Sequence, residues 1–254
     1  MNRKIWYTIK RLIPVRHYHQ IFKTYYNFIS LFYIGNLVFC PCCGKSFRKF
    51  RPHGTCGECP KCGSKEIHRL LALYLINNTE LIKGPFRILH TAPEYSLQLF
   101  LSRNKLLDYV SIDLNSQRAH LKMDLTDLKF PDSSFDVILS CNVLEHIEND
   151  DKAMAEILRV MKPGAWAIIQ VPVNFSNENT FQDDTINTGK LRKKYYGHHD
   201  HKRLYGKDFS DKLTATGFGV EKIAYPTEFS ESEIKKYGLR KTTIIYRCSK
   251  PDKD

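Results

Sequence analysis

The sequence predicts an α/β protein: a Rossmann-like sheet of seven strands with helices on both faces, preceded by a small cysteine ribbon and a helical N-terminal arm. Three observations carry this. Asp124 to Pro172 reads as strand, helix and strand; two CPxCG-type knuckles stand well ahead of it; and residues 1–57 hold ten Lys and Arg but no Asp or Glu. A chain of 254 residues has room for one α/β core and one small module.

Composition sets further bounds. No uncharged apolar run reaches 18 residues, so no transmembrane helix is expected. The opening MNRKIWYTIKRL carries too many charges for a signal peptide. Six of the eight cysteines lie between Cys40 and Cys62, a usage that fits metal binding in a reducing compartment better than disulfides. A cytoplasmic protein is therefore expected, able to sit peripherally at the inner membrane face through its arm. Beyond residue 57, 29 basic side chains meet 27 acidic ones, so the positive excess belongs to the N-terminal quarter.

Residues 1–38 form the arm. Ile5, Ile9, Leu12 and Ile13 share one helical face and Pro14 ends that helix. Tyr25 to Phe39 is uncharged, too short to span a bilayer but long enough to lie in its interface or pack on the core. Three readings stay open: a helical pair covering the core, an arm resting on an anionic membrane surface through residues 1–36, and nucleic-acid contact, the weakest because the charge does not continue past the arm.

Residues 39–66 form the ribbon. Cys40, Cys43, Cys59 and Cys62 stand as C-x2-C-x15-C-x2-C on Gly-assisted turns, which lets four thiolates surround a tetrahedral zinc ion at about 2.3 Å. So few apolar residues accompany them that the metal is read as structural. Cys42 and Cys56 fall outside the frame.

The domain 67–254 follows. Ser64 to Asn77 is an amphipathic helix with a Ser N-cap, Phe86 to Thr91 the first strand, Ala92 to Tyr95 a loop, and Ser96 to Asn104 a short helix. Tyr109 to Asp113 is the second strand, and Met123 to Thr126 closes the third. Phe135 to Ser140 is apolar and β-branched, as a strand buried on both faces should be. Asn149 to Met161 is helical, stopped by Pro163-Gly164, and Trp166 to Pro172 is the fifth strand. After a long polar insertion, 173–204, come a helix (Lys207 to Thr216), a strand (Gly219 to Tyr225), a helix (Ser230 to Tyr237) and a last strand (Thr242 to Cys248).

Ligands of open parallel sheets bind at the carboxyl ends of the strands. Asp113 ends the second strand about 20 residues past the first turn, where a carboxylate accepts hydrogen bonds from ribose hydroxyls. His146, after the fourth strand, has the ordinary pKa of a general base. Glu145 orients it, or both hold a divalent ion with Asn142, or the pair only fixes a loop. A structureless connection of the insertion's length is usually functional. It carries Asp183, Asp184, His198, His199, Asp200 and His201 and is expected over the acceptor, with Asp200 or His201 near the substrate. Three His in four residues cannot all aim at one ion.

The run FPDSSFDVILSCNVLEHI…AMAEILRVMKPGAWAIIQVP resembles the second half of class I S-adenosylmethionine (SAM)-dependent methyltransferases of the broad type-11 group. The resemblance implies SAM as cofactor, an antiparallel last strand, and cofactor contacts from Thr91, Ala92, Glu94, Asp113, Asp124, Leu125 and Asn142, with Asp124 receiving the adenine amino group. His146, by its place after the fourth strand, and His201 and Asp200, by theirs in the insertion, are the catalytic candidates. One departure stands out: where such enzymes carry a Gly-rich first turn, this chain reads LHTAPEYSL. It is similar to a subgroup with a Cys-rich ribbon, L-H-x-A-P-E and D-H-x-R-x-Y-G, in which Glu94 would pair with the SAM amino group. With SAM-dependent methyl transfer implied, the basic arm and the polar, carboxylate- and His-rich insertion favour O-methylation of a glycan or other small hydroxylated acceptor. Two alternatives remain at this stage. One is an RNA methyltransferase, which the missing D/N-P-P-Y signature and the charge distribution disfavour; the other is a non-catalytic adaptor whose fold has lost SAM.

Overall fold

The computed structural model describes residues 15–116 and 118–252. The expected helix from Ile5 to Ile13, with Pro14 as its stop, lies outside the described residues. Helix α1 (Val15–Leu31) comes first, followed by a short antiparallel hairpin of β1 (Val38–Cys40) and β2 (Lys45–Phe47). Helix α2 (Glu66–Asn78) then leads into the sheet. Its cap is Lys65, one residue beyond the expected Ser64. Ser64 is fully buried instead, with its hydroxyl 3.1 Å from the Cys40 sulfur. The ribbon has recruited the residue the helix was expected to use.

The sheet has seven strands: β3 (Arg87–Thr91), β4 (Asp108–Asp113), β5 (Leu121–Lys122), β6 (Phe135–Cys141), β7 (Met161–Gln170), β8 (Gly219–Ile223) and β9 (Ile245–Ser249). They lie in the order β5-β4-β3-β6-β7-β9-β8. All neighbours from β5 to β7 are parallel, and β9 runs antiparallel between β7 and β8. This is the seven-stranded Rossmann-like arrangement expected.

Strand β6 is buried on both faces and separates two cores. Val137 and Leu139 pack with α2, α3 (Tyr95–Leu101) and the ribbon cysteines. Phe135 and Ile138 pack with α4 (Asp150–Val160) and α6 (Phe209–Thr216) on the other side. Burial at about 25 cal/mol per Å² of apolar surface makes this two-sided strand the axis of the domain.

Strand β7 departs most from expectation. It begins at Met161 and runs through Lys162-Pro163-Gly164, read from sequence as a helix stop. Its pairing with β6 shifts register between Phe135 and Val137, and Gly164 has φ +71°. A bulge tolerates a proline without an N–H, so the turn signal is absorbed into the strand. The third strand is also shorter than expected and leaves Asp124 in the turn beyond it. The insertion 173–204 is partly ordered: it carries α5 (Gly189–Tyr196) and is closed by single bridges of Phe181 with Leu204 and Val173 with Tyr205. Helix α7 (Glu231–Tyr237) begins at a Ser230 cap and packs beside the ribbon hairpin. No helix among the described residues is long and apolar enough to cross a membrane.

Candidate active site

Two strand ends bend in the same unusual way. Ala92, after β3, has φ +46°, and Asn142, after β6, has φ +54°. An L-residue adopts this left-handed region at some steric cost, and such residues concentrate at functional sites. The backbone N–H of Ala92 donates to the Ile112 carbonyl (2.8 Å) and that of Asn142 to the Gln170 carbonyl (2.7 Å), which hold both turns against their neighbouring strands. The glycine-free first turn therefore makes the bend a glycine would favour, using an alanine.

A cleft of about 530 Å³ opens along these ends. Thr91, Ala92, Asp113, Asp124, Leu125 and Asn142 line it, with Arg192 and Lys202 contributed by the insertion. Asp113 uses Oδ1 to accept from the backbone N–H groups of Asn115 (2.7 Å) and Ser116 (2.5 Å), which aims its carboxylate along the cleft. Asp124 Oδ1 likewise accepts from the Thr126 N–H (2.8 Å) and hydroxyl (2.9 Å). Neither Oδ2 has a hydrogen-bond partner among the described residues, and two carboxylate oxygens facing a cleft suit a nucleoside's hydroxyls and amino group.

A second cleft of about 540 Å³ adjoins the first, and Asn142 and His146 line both. Its walls mix polar and apolar groups: Gln170 from the sheet, Lys65 and Glu66 from the start of α2, Arg240, Thr242 and Thr243 from the loop before β9, and His198 and His201 from the insertion stand beside Ile67, Val171, Val173, Phe175 and Ile244. At the junction His146 Nδ1 stands 3.2 Å from Asp200 Oδ1, and Asp200 also contacts His198 Nδ1. The His146 and His201 rings are 4.8 Å apart. Burial, reinforced by neighbouring imidazoles, lowers the pKa of both below that of a free histidine, so both are neutral near pH 7.

Arg203 explains how a polar insertion reaches this point. Its side chain is 1% exposed and donates to the carbonyls of Leu144 (3.0 Å), Ile147 (2.7 Å) and Glu148 (2.7 Å) and to Gln182 (2.8 Å). It pins residues 200–203 to the turn carrying His146. Two residues on, the Tyr205 hydroxyl donates to Asp150 (2.6 Å). A Cβ on Gly206 would come within 2.5 Å of the Asn179 backbone. The D-H-x-R-x-Y-G run thus sets the insertion's position. Its signal was visible in the sequence; the staple made by Arg203 was not.

Glu94 does not line the cofactor cleft. Its carboxylate turns back toward the ribbon side, 3.2 Å from His90 Nε2 and 3.5 Å from His68 Nε2. The other ring nitrogens meet the Tyr109 hydroxyl (2.9 Å) and the Ser96 hydroxyl (2.9 Å), an arrangement in which both histidines give Nε2–H to the carboxylate. Burial alone would raise the Glu94 pKa, but these two partners outweigh it and hold it well below the usual carboxylate range. The expected bond to the SAM amino group is replaced by a link between α2 and the sheet. Glu145 is the opposite case. It is 1% exposed, neither oxygen has a hydrogen-bond partner, and burial pushes its pKa up to about 8. It does not orient His146; Asp200 does.

In the ribbon, the Sγ atoms of Cys40, Cys43, Cys59 and Cys62 lie within 4.8 Å of one another, all buried. Cys40 and Cys62 are 3.6 Å apart, Cys43 and Cys59 3.7 Å. Zn–S bonds of about 2.3 Å give a tetrahedron with edges of about 3.8 Å, so this donor set fits zinc. Cys42 is turned to the His68 carbonyl and Cys56 to that of Leu239. Arg69, fully buried, donates to the carbonyls of Ser64, Cys56, Tyr237 and Gly238 and fastens the ribbon to the domain.

Residues 101–169 match a family model described as a methyltransferase domain. Over this segment the chain is similar to methyltransferase domains. An uncharacterized methyltransferase of Mycobacterium avium is 30% identical over 110 residues, 39% of this chain and 44% of that protein. Ajmaline N-methyltransferase of Rauvolfia serpentina is 39% identical over 46 residues, 18% of this chain and 16% of that protein. These alignments thus span less than half of each relative. The solved structure of the [4+2]-cyclase SpnF superposes with a TM-score of 0.51 at 14% identity, covering 81% of this chain and 87% of that one, a likeness of fold. The matched segment runs from the end of α3 through β7, so it includes Asp113, Asp124, Asn142 and His146 but none of the ribbon or insertion.

Proposed function

We propose that this protein transfers a methyl group from SAM to a hydroxyl oxygen of a small polar acceptor of the glycan class. The observation that carries this reading is the meeting of two clefts at Asn142 and His146, one edged by Asp113 and Asp124, the other walled by hydrogen-bonding side chains interleaved with apolar ones. SAM would lie along the first, with Asp113 on the ribose and Asp124 on the adenine, and supplies an electrophilic methyl group. The acceptor would occupy the second, where Lys65, Gln170, Arg240 and Thr242 offer the hydrogen bonds a polyhydroxylated molecule needs. Holding both reactants in contact geometry contributes roughly 7–11 kcal/mol to the rate. His146 and His201, neutral near pH 7, are placed to accept the hydroxyl proton, with Asp200 orienting His146.

A calorimetric titration of SAM into the full chain tests this reading. One site per chain is expected, and Asp113→Ala should weaken it by about 1–3 kcal/mol, the cost of an unmatched charged hydrogen bond. A flat titration of the unaltered protein would overturn the reading and favour a non-catalytic adaptor.

Two assignments accompany it. Zinc belongs in the four-cysteine ribbon, as a structural ion. An anionic membrane surface is the partner of the arm: Phe28, Leu31, Phe32, Ile34 and Leu37 are exposed around the end of α1, in the quarter of the chain that holds the positive excess. Exposed apolar groups beside Lys and Arg, each contributing about 1 kcal/mol near an anionic leaflet, suffice for reversible attachment. The middle of α1 meanwhile packs on the domain, with Tyr26 stacked on Tyr95 at 6.4 Å. Co-sedimentation with phosphatidylserine vesicles, weakened by salt and lost on deletion of residues 1–36, is expected; indifference of the full chain to such vesicles would remove the membrane.

A further inference from the structure

The junction of the two clefts holds more donors than a proton acceptor needs. His146, His198, Asp200 and His201 each present one ligand atom, and these atoms lie within 4.8 Å of one another. His199, the remaining histidine of the run, is not among them. We propose that these four side chains bind a divalent first-row transition-metal ion, which holds the hydroxyl of the acceptor at the point where the two clefts meet.

Geometry comes first. Bonds of about 2.0–2.1 Å from nitrogen or oxygen to a tetrahedral ion give ligand edges of about 3.4 Å. His146 Nδ1 and Asp200 Oδ1 are already 3.2 Å apart. His201 places Nδ1 3.1 Å from the Tyr196 carbonyl, the outer hydrogen bond that fixes a metal-binding imidazole's tautomer and leaves Nε2 bare. Arg203 holds residues 200–203 against the His146 turn, so the donors are brought together before any ligand arrives.

Charge supplies an independent argument. Glu145 lines the acceptor cleft with both carboxylate oxygens buried and unpartnered. A buried carboxyl group without a hydrogen bond costs stability, whereas a cation beside it restores a partner field. Donor chemistry then narrows the ion: three imidazoles with one carboxylate suit zinc, iron, cobalt or nickel, whereas magnesium and calcium prefer all-oxygen sites. His198 and Asp200 are each half exposed, which leaves the ion open to an incoming oxygen.

The proposal rests on the methyl-transfer reading for its purpose and changes the agent. Coordination lowers the pKa of the acceptor hydroxyl, which releases its proton to water. The oxygen forms a bond to the methyl carbon as the carbon–sulfur bond of SAM breaks. The electron pair stays on sulfur, leaving S-adenosylhomocysteine, the methyl ether and one proton. The imidazoles then act as ligands, not as bases.

Cobalt(II) is the probe. Untagged full-length protein, with its ribbon zinc retained, is dialysed against Co²⁺ and its metal content and visible spectrum are measured. One cobalt per chain is expected beyond the zinc, with d–d absorption but without thiolate-to-metal charge transfer. His198→Ala and Asp200→Asn should each weaken cobalt binding by more than the roughly 10–100-fold typical of losing an outer partner. Zinc content should stay unchanged in both, and SAM affinity unchanged in His198→Ala. No cobalt beyond the zinc, or equal uptake by the double variant, overturns the proposal. Cobalt uptake by protein that ignores SAM would uphold the ion site and overturn the methyl-transfer reading instead.

Discussion

The ribbon and the cleft junction each gather four side chains of metal-binding type, and they do so by opposite means. The four thiols come from two short knuckles, are wholly buried, and lie among the apolar residues of one core. The junction takes His146 from the turn after β6 and three donors from an insertion more than 50 residues later, and two of its side chains are half exposed. A closed, local site suits an ion that holds a small module together, because the module has little else to bury. An open, composite site between two clefts suits chemistry, because ligands must enter and leave.

The sharpest break between the two is stability. Cys40→Ser or Cys59→Ser should release zinc and unfold the ribbon, since structural zinc contributes on the order of 10 kcal/mol in isolated zinc modules. Limited proteolysis between Cys43 and Cys59 reads this out, with His198→Ala as the variant that keeps its zinc. Metal-free protein with an intact thermal transition would erase the distinction.

Next comes turnover. His146→Ala and His201→Ala should each lower methyl transfer by about 10²–10⁴-fold while SAM still binds. The ribbon's contribution to catalysis should be only indirect, through folding. If both variants keep full turnover, the junction positions the acceptor and activates nothing.

Two carboxylates, the half-buried Glu94 and the buried Glu145, sharpen the comparison through pH. Glu94, on the ribbon side, has a depressed pKa. Its stabilisation is present above about pH 4.3, the unfolded value, and is lost as pH falls below it. Glu94→Gln should therefore cost about 1–3 kcal/mol at pH 7 and progressively less below pH 4. Glu145, at the junction, is pushed up to about 8, so it keeps its proton in the folded state while the unfolded chain has lost it. Between about pH 4.3 and 8 this lowers stability as pH rises, by up to about 1.4 kcal/mol per pH unit in protein without the junction ion. Glu145→Gln should flatten that slope. Urea denaturation midpoints across the pH range check both, and parallel slopes for the two variants would refute the contrast.

Much of the molecule was legible because its signals are local. Strand periodicity, the Asn149 cap and the CPxCG spacing each depend on residues a few positions apart, and the sheet, α4 and the cysteine set follow them. The gathering of Asp113, Asp124 and Asn142 along one cleft was legible too, because a parallel sheet brings the carboxyl ends of its strands to one edge. Other features depended on packing across the chain. Pro163-Gly164 reads as a stop until a bulge against β6 draws it into β7. Glu94 reads as a cofactor ligand until His68, from the far side of the ribbon connection, and His90 claim it. Arg203 is one basic residue in a basic segment until burial forces its guanidinium to give three hydrogen bonds to carbonyls of the His146 turn. A buried charge must find partners wherever the fold supplies them, and only the tertiary structure decides which residues those are.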